Sequence, residues 1–281
     1  MIPTKPGIYE NLTYEEYAAI QAVSRSLLAA LASTPADAQQ FLLGGGETTK
    51  ALEFGIGSHC LMLEPKRFDA EFRIGPDVKL NTKEGKAEWA AFTEKHQGKT
   101  HIRGADGLAL LGMRDRLFQH PLASRLLTAN GANEVVIVWR DGSSGLLCKL
   151  RLDRLIKWEG AQAIVDYKTT ADASRRGFPR SYGDYLYYMQ EAFYCGGVQA
   201  VIGEPVPSFF FIAQEKKAPY KANVFRFPSY RVEQGRKLYR DLLEVYAACE
   251  KSGQWPAIDG REYLADVIEA DVPAFSMRDA D

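Results

Sequence analysis

The stretch Leu146-Leu-Cys-Lys-Leu-Arg-Leu-Asp-Arg-Leu155, followed by Ala163-Ile-Val-Asp-Tyr-Lys168, decides the reading of this 281-residue chain. Side chains on a strand alternate between faces. In the first segment Leu146, Cys148, Leu150 and Leu152 form an apolar side, opposite Lys149, Arg151 and Asp153. In the second, Asp166 and Lys168 share a face while Val165 and Tyr167 point the other way. Trp158-Glu159-Gly160 supplies a turn between them. The two strands are therefore expected to lie side by side and bring Asp153, Asp166 and Lys168 to one edge of a sheet. An exposed charged face on a half-buried strand would show the same residues, so the pattern alone leaves both readings open.

Two carboxylates and a lysine suit phosphodiester chemistry. Carboxylate oxygens are hard ligands for Mg²⁺ or Mn²⁺. Such an ion activates water and offsets charge on the attacked phosphate, while a neighbouring lysine orients the nucleophile or stabilises the charge that develops.

Outward from this stretch, Glu134–Trp139 is a β-branched run and Asp141-Gly142 a hairpin turn signal. Strands are expected at Ser208–Ile212 and Asn223–Phe227, one long helix over Tyr182–Ala200 and another over Ser229–Ser252. The first third reads as helical. Thr13-Tyr-Glu-Glu16 is a capping-box pattern. Further helices are expected from Ser24 to a stop at Pro35, over Ala36–Leu43, and over Lys50–Leu63 with a stop at Pro65. Residues 84–96 and 106–118 continue the pattern, the latter ended by His120-Pro121. Gly44-Gly45-Gly46 reads as a mobile loop. The expected fold class is α/β: a central mixed sheet flanked by helices, with a helical N-terminal layer. One domain over residues 1–258 is expected, with a helical part at 1–130 and an α/β core at 131–258, followed by a peripheral acidic tail at 259–281.

Hydrophobic residues at 46% and charged residues at 25% are ordinary values for a chain with a buried core. The net charge of -1 is uneven, because residues 259–281 carry a net of -5 and the rest +4. A polyanion requires local positive potential only, so this balance permits DNA binding without arguing for it. Cys60, Cys148, Cys195 and Cys249 are scattered in apolar surroundings and read as reduced, buried thiols. No signal peptide or membrane span is expected, which predicts a cytoplasmic protein.

The stretch Val165-Asp-Tyr-Lys-Thr-Thr170, with Asp153 upstream, resembles the catalytic strand of the PD-(D/E)XK nuclease superfamily, without that pattern's proline. Phe54-Gly-Ile-Gly-Ser-His59 is similar to the Gly-x-x-x-His helix of its RecB-like branch, and Gln190-Glu-Ala-Phe-Tyr194 to the branch's Gln-x-x-x-Tyr helix. Leu12-Thr-Tyr-Glu-Glu-Tyr17 and Ser24-Arg-Ser-Leu-Leu…Thr34-Pro35 resemble the opening of RecE-type exonucleases (exodeoxyribonuclease VIII-like) of phages and prophages. The likeness spans residues 8–255 and implies a restriction-endonuclease-like core.

It also implies a ligand set of His59, Asp153, Asp166 and the Tyr167 carbonyl for Mg²⁺, with Mn²⁺ as a substitute. Lys168, Gln190 and Tyr194 would act at the phosphate or nucleophile. By the same resemblance the protein would digest linear double-stranded DNA ends 5′ to 3′ in the cytoplasm of a bacterial host. It would form a homo-oligomeric ring, a tetramer, and work beside a single-strand annealing protein in phage recombination. Glu134 opens the first strand where related nucleases carry an acid, and could instead be a strand-edge charge. Arg175, Arg176 and Arg180 could grip phosphates or line a solvated turn. Of Tyr182, Tyr185, Tyr187 and Tyr188, most are expected in the core, with one or two free to stack on bases. His96, His101 and His120 fall in no ligand spacing and read as surface residues. Only Cys249 lies near the C-terminus, so an iron–sulfur cluster is not expected, and no Walker A pattern indicates a motor. A structure-specific or restriction-type endonuclease is the rival enzyme. A DNA-binding or assembly module without chemistry is the rival of another class.

Overall fold

The computed structural model of the chain describes residues 2–44 and 50–257. It opens with strand β1 (Gly7–Tyr9) and helix α1 (Tyr14–Ala19). The capping box forms: Thr13 accepts from the Glu16 amide, and the Glu16 carboxylate accepts from the Thr13 amide. A two-residue strand, β2 (Val23–Ser24), leads into α2 (Arg25–Ser33), capped by the Ser24 hydroxyl. Then come α3 (Pro35–Leu42), α4 (Lys50–Leu63), α5 (Pro65–Glu71), β3 (Phe72–Ile74), α6 (Lys83–Lys95), β4 (Thr100–Ile102), α7 (Gly104–Gln119) and α8 (Pro121–Thr128). Pro35, Pro65 and Pro121, expected only as stops, each open the next helix. Proline's fixed φ and missing donor cost nothing in a first turn, which is why α5 and α8 escape a reading that takes proline only as punctuation.

The second half holds β5 (Gly131–Arg140), β6 (Leu147–Trp158), β7 (Ala161–Thr170), α9 (Gly177–Asp184), α10 (Tyr187–Ile202), β8 (Ser208–Glu215), β9 (Ala222–Phe225) and α11 (Ser229–Ser252). The single helix expected over Tyr182–Ala200 is two. Leu186, at φ 53°, takes a left-handed conformation that breaks the chain between α9 and α10. Glu159 and Gly160, both at positive φ, close the β6–β7 hairpin. Gly45 and Gly46 of the glycine triplet, and the tail at 259–281, lie outside the described residues.

The main sheet has seven strands, in the order β1-β5-β6-β7-β8-β9 with β2 added on β6, and it is mixed: β7 and β8 run parallel, as do β2 and β6. Helices α2, α10 and α11 cover one face around Leu28, Leu150, Leu152, Phe193, Phe211 and Leu243. Helices α4, α5, α7 and α8 cover the other around Leu61, Leu110, Met113, Leu126, Val165 and Tyr167. Each fully buried Leu or Phe contributes about 1.5–3 kcal/mol, so the sheet is held from both sides. Gly235 lets α10 and α11 touch, since a Cβ there would stand 2.0 Å from the Tyr188 carbonyl oxygen.

One break in the sheet positions everything that follows. β6 and β7 pair from Trp158↔Ala161 to Arg154↔Val165 and then part. Asp153 and Asp166 are the next residues on the two strands. Farther along the same edge of β6, β2 takes over, with Val23↔Cys148 and Ser24↔Lys149 in register. Lys149, placed by alternation on the polar face, is in fact buried, and its ammonium donates to the carbonyls of Tyr17, Ala18 and Ile20 at 3.0, 3.0 and 2.7 Å, tying down the end of α1.

Candidate active site

The fork between β6 and β7 opens the sheet to both helical layers. From one side α4 brings His59, whose ring meets Tyr167 edge-on at 5.1 Å. From the other, α10 brings Gln190, whose amide donates to Asp166 Oδ1 at 2.6 Å. Where the ladder stops, the Tyr167 amide donates to Asp153 Oδ2 at 2.7 Å, so a ligand-type side chain replaces the missing strand partner. The phenol of Tyr167 is buried below, bonded to Ser58 at 3.0 Å and donating to Gln214 at 2.8 Å.

Glu134 joins this group through an unusual backbone. It lies within β5 at φ 51°, a left-handed conformation rare for a non-glycine residue in a strand. The twist interrupts the β5–β6 ladder between Asn133↔Arg154 and Val135↔Leu152, and turns Glu134 towards His59 and Asp153. One ligand atom from each of these three residues lies within 4.8 Å of the other two. Glu134 also pairs with Arg151 at 2.8 Å, whose guanidinium lies over the Tyr14 ring at 5.2 Å.

The electrostatics follow from burial. His59 drops to about 4, chiefly through burial and then the positive Lys168 nearby, so the ring is neutral with a lone pair to offer. Glu134 rises to about 7 through burial and the charge of Asp153. Asp153 and Asp166 are both raised by burial, with Lys168 pulling the other way. Burial alone would lower Lys168, but Asp166 and Asp153 hold it above the usual lysine value. Lys168 Nζ stands 2.6 Å from Asp166 Oδ2 as an ion pair, although that oxygen, fully buried, has no directed hydrogen bond. Imidazole nitrogen and carboxylate oxygens gathered around one point form a donor set that fits a divalent cation.

The residues singled out by sequence are placed as follows. Asp153, Asp166, Lys168, Gln190 and His59 converge at the fork. Glu134 lies with His59 and Asp153, whereas Asp166 is engaged by Lys168 and Gln190. Tyr167 meets the His59 ring with its own ring and donates its amide to Asp153, so its main chain lies at the fork. Tyr194 lies on the cleft side of α10, where burial raises its phenol well above the usual value and the charges of Asp166, Arg25 and Asp153 reach it. Arg175, Arg176 and Arg180 are exposed on the turn after β7 and on α9, without contact to these groups among the described residues. Tyr182 is core, Tyr187 and Tyr188 are half-buried, and Tyr185 is 61% exposed.

His96, His101 and His120 are part-exposed, at the end of α6, on β4 and between α7 and α8. His101 Nε2 lies 2.8 Å from the His96 carbonyl, and His120 Nδ1 caps α8 by accepting from the Ala123 amide. The cysteines are unpaired thiols. Among the described residues no helix is long and apolar enough to cross a membrane. Arg25, the first residue of α2, lies over the Tyr187 ring that Lys168 also meets, and the sequence does not single it out. Its signal was a cation in a helix's first turn with no acid there, against the helix dipole.

A family profile described as a PDDEXK-like domain of unknown function (DUF3799) matches residues 24–265. A search of curated proteins returned no match. Among solved structures, the chain is similar to a "Putative exonuclease" from Eubacterium rectale, with a TM-score of 0.60 and 20% identity over 94% of this chain and 97% of that one. At that identity the likeness shows a shared fold. The crystal structure of SSO0001 aligns with a TM-score of 0.28 and 16% identity over 67% of this chain and 74% of that one, too weak to carry weight.

Proposed function

Because this chain belongs to the PDDEXK-like domain family, we propose that it is a divalent-metal-dependent deoxyribonuclease, digesting linear double-stranded DNA from its ends in the 5′-to-3′ direction. The observation that carries the nuclease reading is the fork: the sheet parts where Asp153 and Asp166 face one another, and His59, Glu134, Lys168 and Gln190 close around them. The restriction to ends and the polarity draw on the resemblance of the catalytic strand and the N-terminal segment to RecE-type exonucleases.

His59, Glu134 and Asp153 would hold the ion, with Asp166 beside them. Mg²⁺ fits the oxygen-rich set, and Mn²⁺ would substitute. When bound, the ion supplies Lewis-acid stabilisation and activates water. Lys168 is held charged, so its part is to orient the nucleophile and stabilise charge building on the phosphate rather than to accept a proton. Gln190 fixes the Asp166 carboxylate, and so fixes where the ammonium sits. Tyr194, one turn after Gln190 on α10 and within electrostatic reach of Asp166 and Asp153, would stand by the phosphate.

The test is digestion of end-labelled linear duplex and of covalently closed circles, with Mg²⁺, with Mn²⁺ and with chelator. Linear DNA should be consumed only with metal, and closed circles should persist. Intact linear DNA under all conditions defeats the nuclease reading. Nicked circles replace the exonuclease by an endonuclease. An Asp166→Ala variant as active as wild type defeats the site assignment.

A further inference from the structure

Resting on the nuclease reading, we propose that Arg25 is a phosphate-binding residue of the cleft, receiving a backbone phosphodiester of the DNA strand that runs past Lys168. Its position follows from the fork. Beyond the point where β7 leaves β6, β2 occupies the same edge, and the chain turns from Ser24 directly into α2 with Arg25 as the first helical residue. The N-terminal segment thus delivers a guanidinium to the mouth of the gap between the strands.

Its bonding is incomplete in a way a phosphate would complete. One terminal nitrogen donates to the Tyr185 carbonyl, in the turn that left-handed Leu186 creates. The Nε is buried and has no partner. Leaving a buried donor unmet costs about 1–3 kcal/mol, and a guanidinium offers a fork of donors suited to two phosphate oxygens. Among the described residues no carboxylate pairs with Arg25. The acids of the cleft are matched elsewhere, Asp166 with Lys168 and Glu134 with Arg151.

Its neighbours point the same way. The Tyr187 ring has Lys168 Nζ at 5.0 Å from its centroid and Arg25 Cζ at 5.9 Å, so two cations attend one aromatic wall. Tyr185, 5.7 Å from Tyr187 ring to ring, carries that wall out to solvent. A strand laid along it would put the reacting phosphate at Lys168 and another within reach of Arg25. A purely structural strap would need only the carbonyl contact, and it would leave a cation at a helix N-terminus with its remaining donors idle.

The experiment measures binding of a labelled linear duplex at several salt concentrations, with Ca²⁺ in place of Mg²⁺ to hold cleavage back. Wild type, Arg25→Lys, Arg25→Gln and Arg25→Ala are compared, with thermal melting of each. Loss of one phosphate contact lowers the slope of log Kd against log salt by about one. Arg25→Gln and Arg25→Ala should show that drop with a Kd about tenfold weaker, while Arg25→Lys keeps the slope. Arg25→Gln retains a donor for the Tyr185 carbonyl, so it stays informative if Arg25→Ala fails to fold. Equal slopes for Arg25→Gln and Arg25→Lys overturn the proposal, as does a fall in melting temperature with the wild-type slope unchanged. Wild type that binds with the Arg25-dependent slope yet cleaves nothing overturns the nuclease reading and leaves the phosphate contact standing.

Discussion

The two sides of the fork are built from similar residues and held in opposite ways. On the α4 side, His59, Glu134 and Asp153 turn their donor atoms towards a common point, and the ring of His59 is neutral. On the α10 side, Asp166 is nearly saturated by protein, with Gln190 on one oxygen and Lys168 against the other. The first arrangement gathers lone pairs at one point, offset only in part by Arg151 on Glu134 and the Tyr167 amide on Asp153, and a cation would relieve that crowding. The second is self-neutralising and rigid. Two acids on adjacent strands therefore take different parts: Asp153 would belong to the ion, while Asp166 also sets the place of the ammonium that would meet the substrate.

Removing the internal cation should separate the sides most sharply. Lys168→Met leaves Asp166, 2% exposed, with its charge unpaired. Folding stability should fall by about 3 kcal/mol at neutral pH, and nuclease turnover by about 10²–10³-fold. Burial raises the Asp166 carboxyl above its usual value, so in acid it takes a proton and the stability deficit should shrink as pH falls. Urea titrations at two pH values check this. An undiminished deficit at low pH would mean that Lys168 matters for packing rather than charge.

Ligand loss on the α4 side should spare the fold and weaken the ion. Glu134→Gln is expected to reduce Mn²⁺ affinity by about 10–100-fold in calorimetry, with far less change for Gln190→Ala. If both variants bind Mn²⁺ equally, the division between the two sides is wrong.

A buried acid away from the proposed ion serves as a control. Glu191, next to Gln190, accepts from the Tyr182 hydroxyl at 2.8 Å and is raised to about 7 by burial. Charging it in the folded state is unfavourable, so wild-type stability should fall as pH rises from about 4.5 to about 7. Glu191→Gln should make that slope shallower, leaving the part that Glu134 contributes, and add about 2 kcal/mol at pH 8, with Mn²⁺ affinity unchanged.

The smallest effect should come from relieving backbone strain. Glu134→Gly suits the positive φ and should stabilise by about 1 kcal/mol in thermal melts while the ion is lost. A destabilised variant would show that Glu134 is held there by more than function.

The strands that carry the acids were readable because a period of two survives in any half-buried strand. The alternation of β7 alone puts Asp166 and Lys168 on one face. The fork was not readable, since it depends on a two-residue strand whose pairing partner lies far along the chain and which is too short to show periodicity. For the same reason β1, β3 and β4 left no trace. Leu186 gives no composition signal for its left-handed turn, and glycine or asparagine would have. The face of Glu134 was hidden by its backbone twist, which resets the alternation on which the reading relied. His59 entered only through resemblance, because a lone histidine on an amphipathic helix has no spacing partner.

The pairing of β2 with β6 also has a consequence for how the molecule assembles. Val23 meets Cys148 across nearly half of the chain, whereas β5, β6 and β7 follow one another through short turns. Closing a long loop costs entropy before its contacts repay it, and local hairpins close first. The meander bearing the acids is thus expected to form early, with the N-terminal strand docking late. A chain caught in between would display its carboxylates without the arginine that arrives with that strand. DNA affinity would then report completion of folding, and a fluorescent label near Arg25 in a stopped-flow refolding experiment would time it.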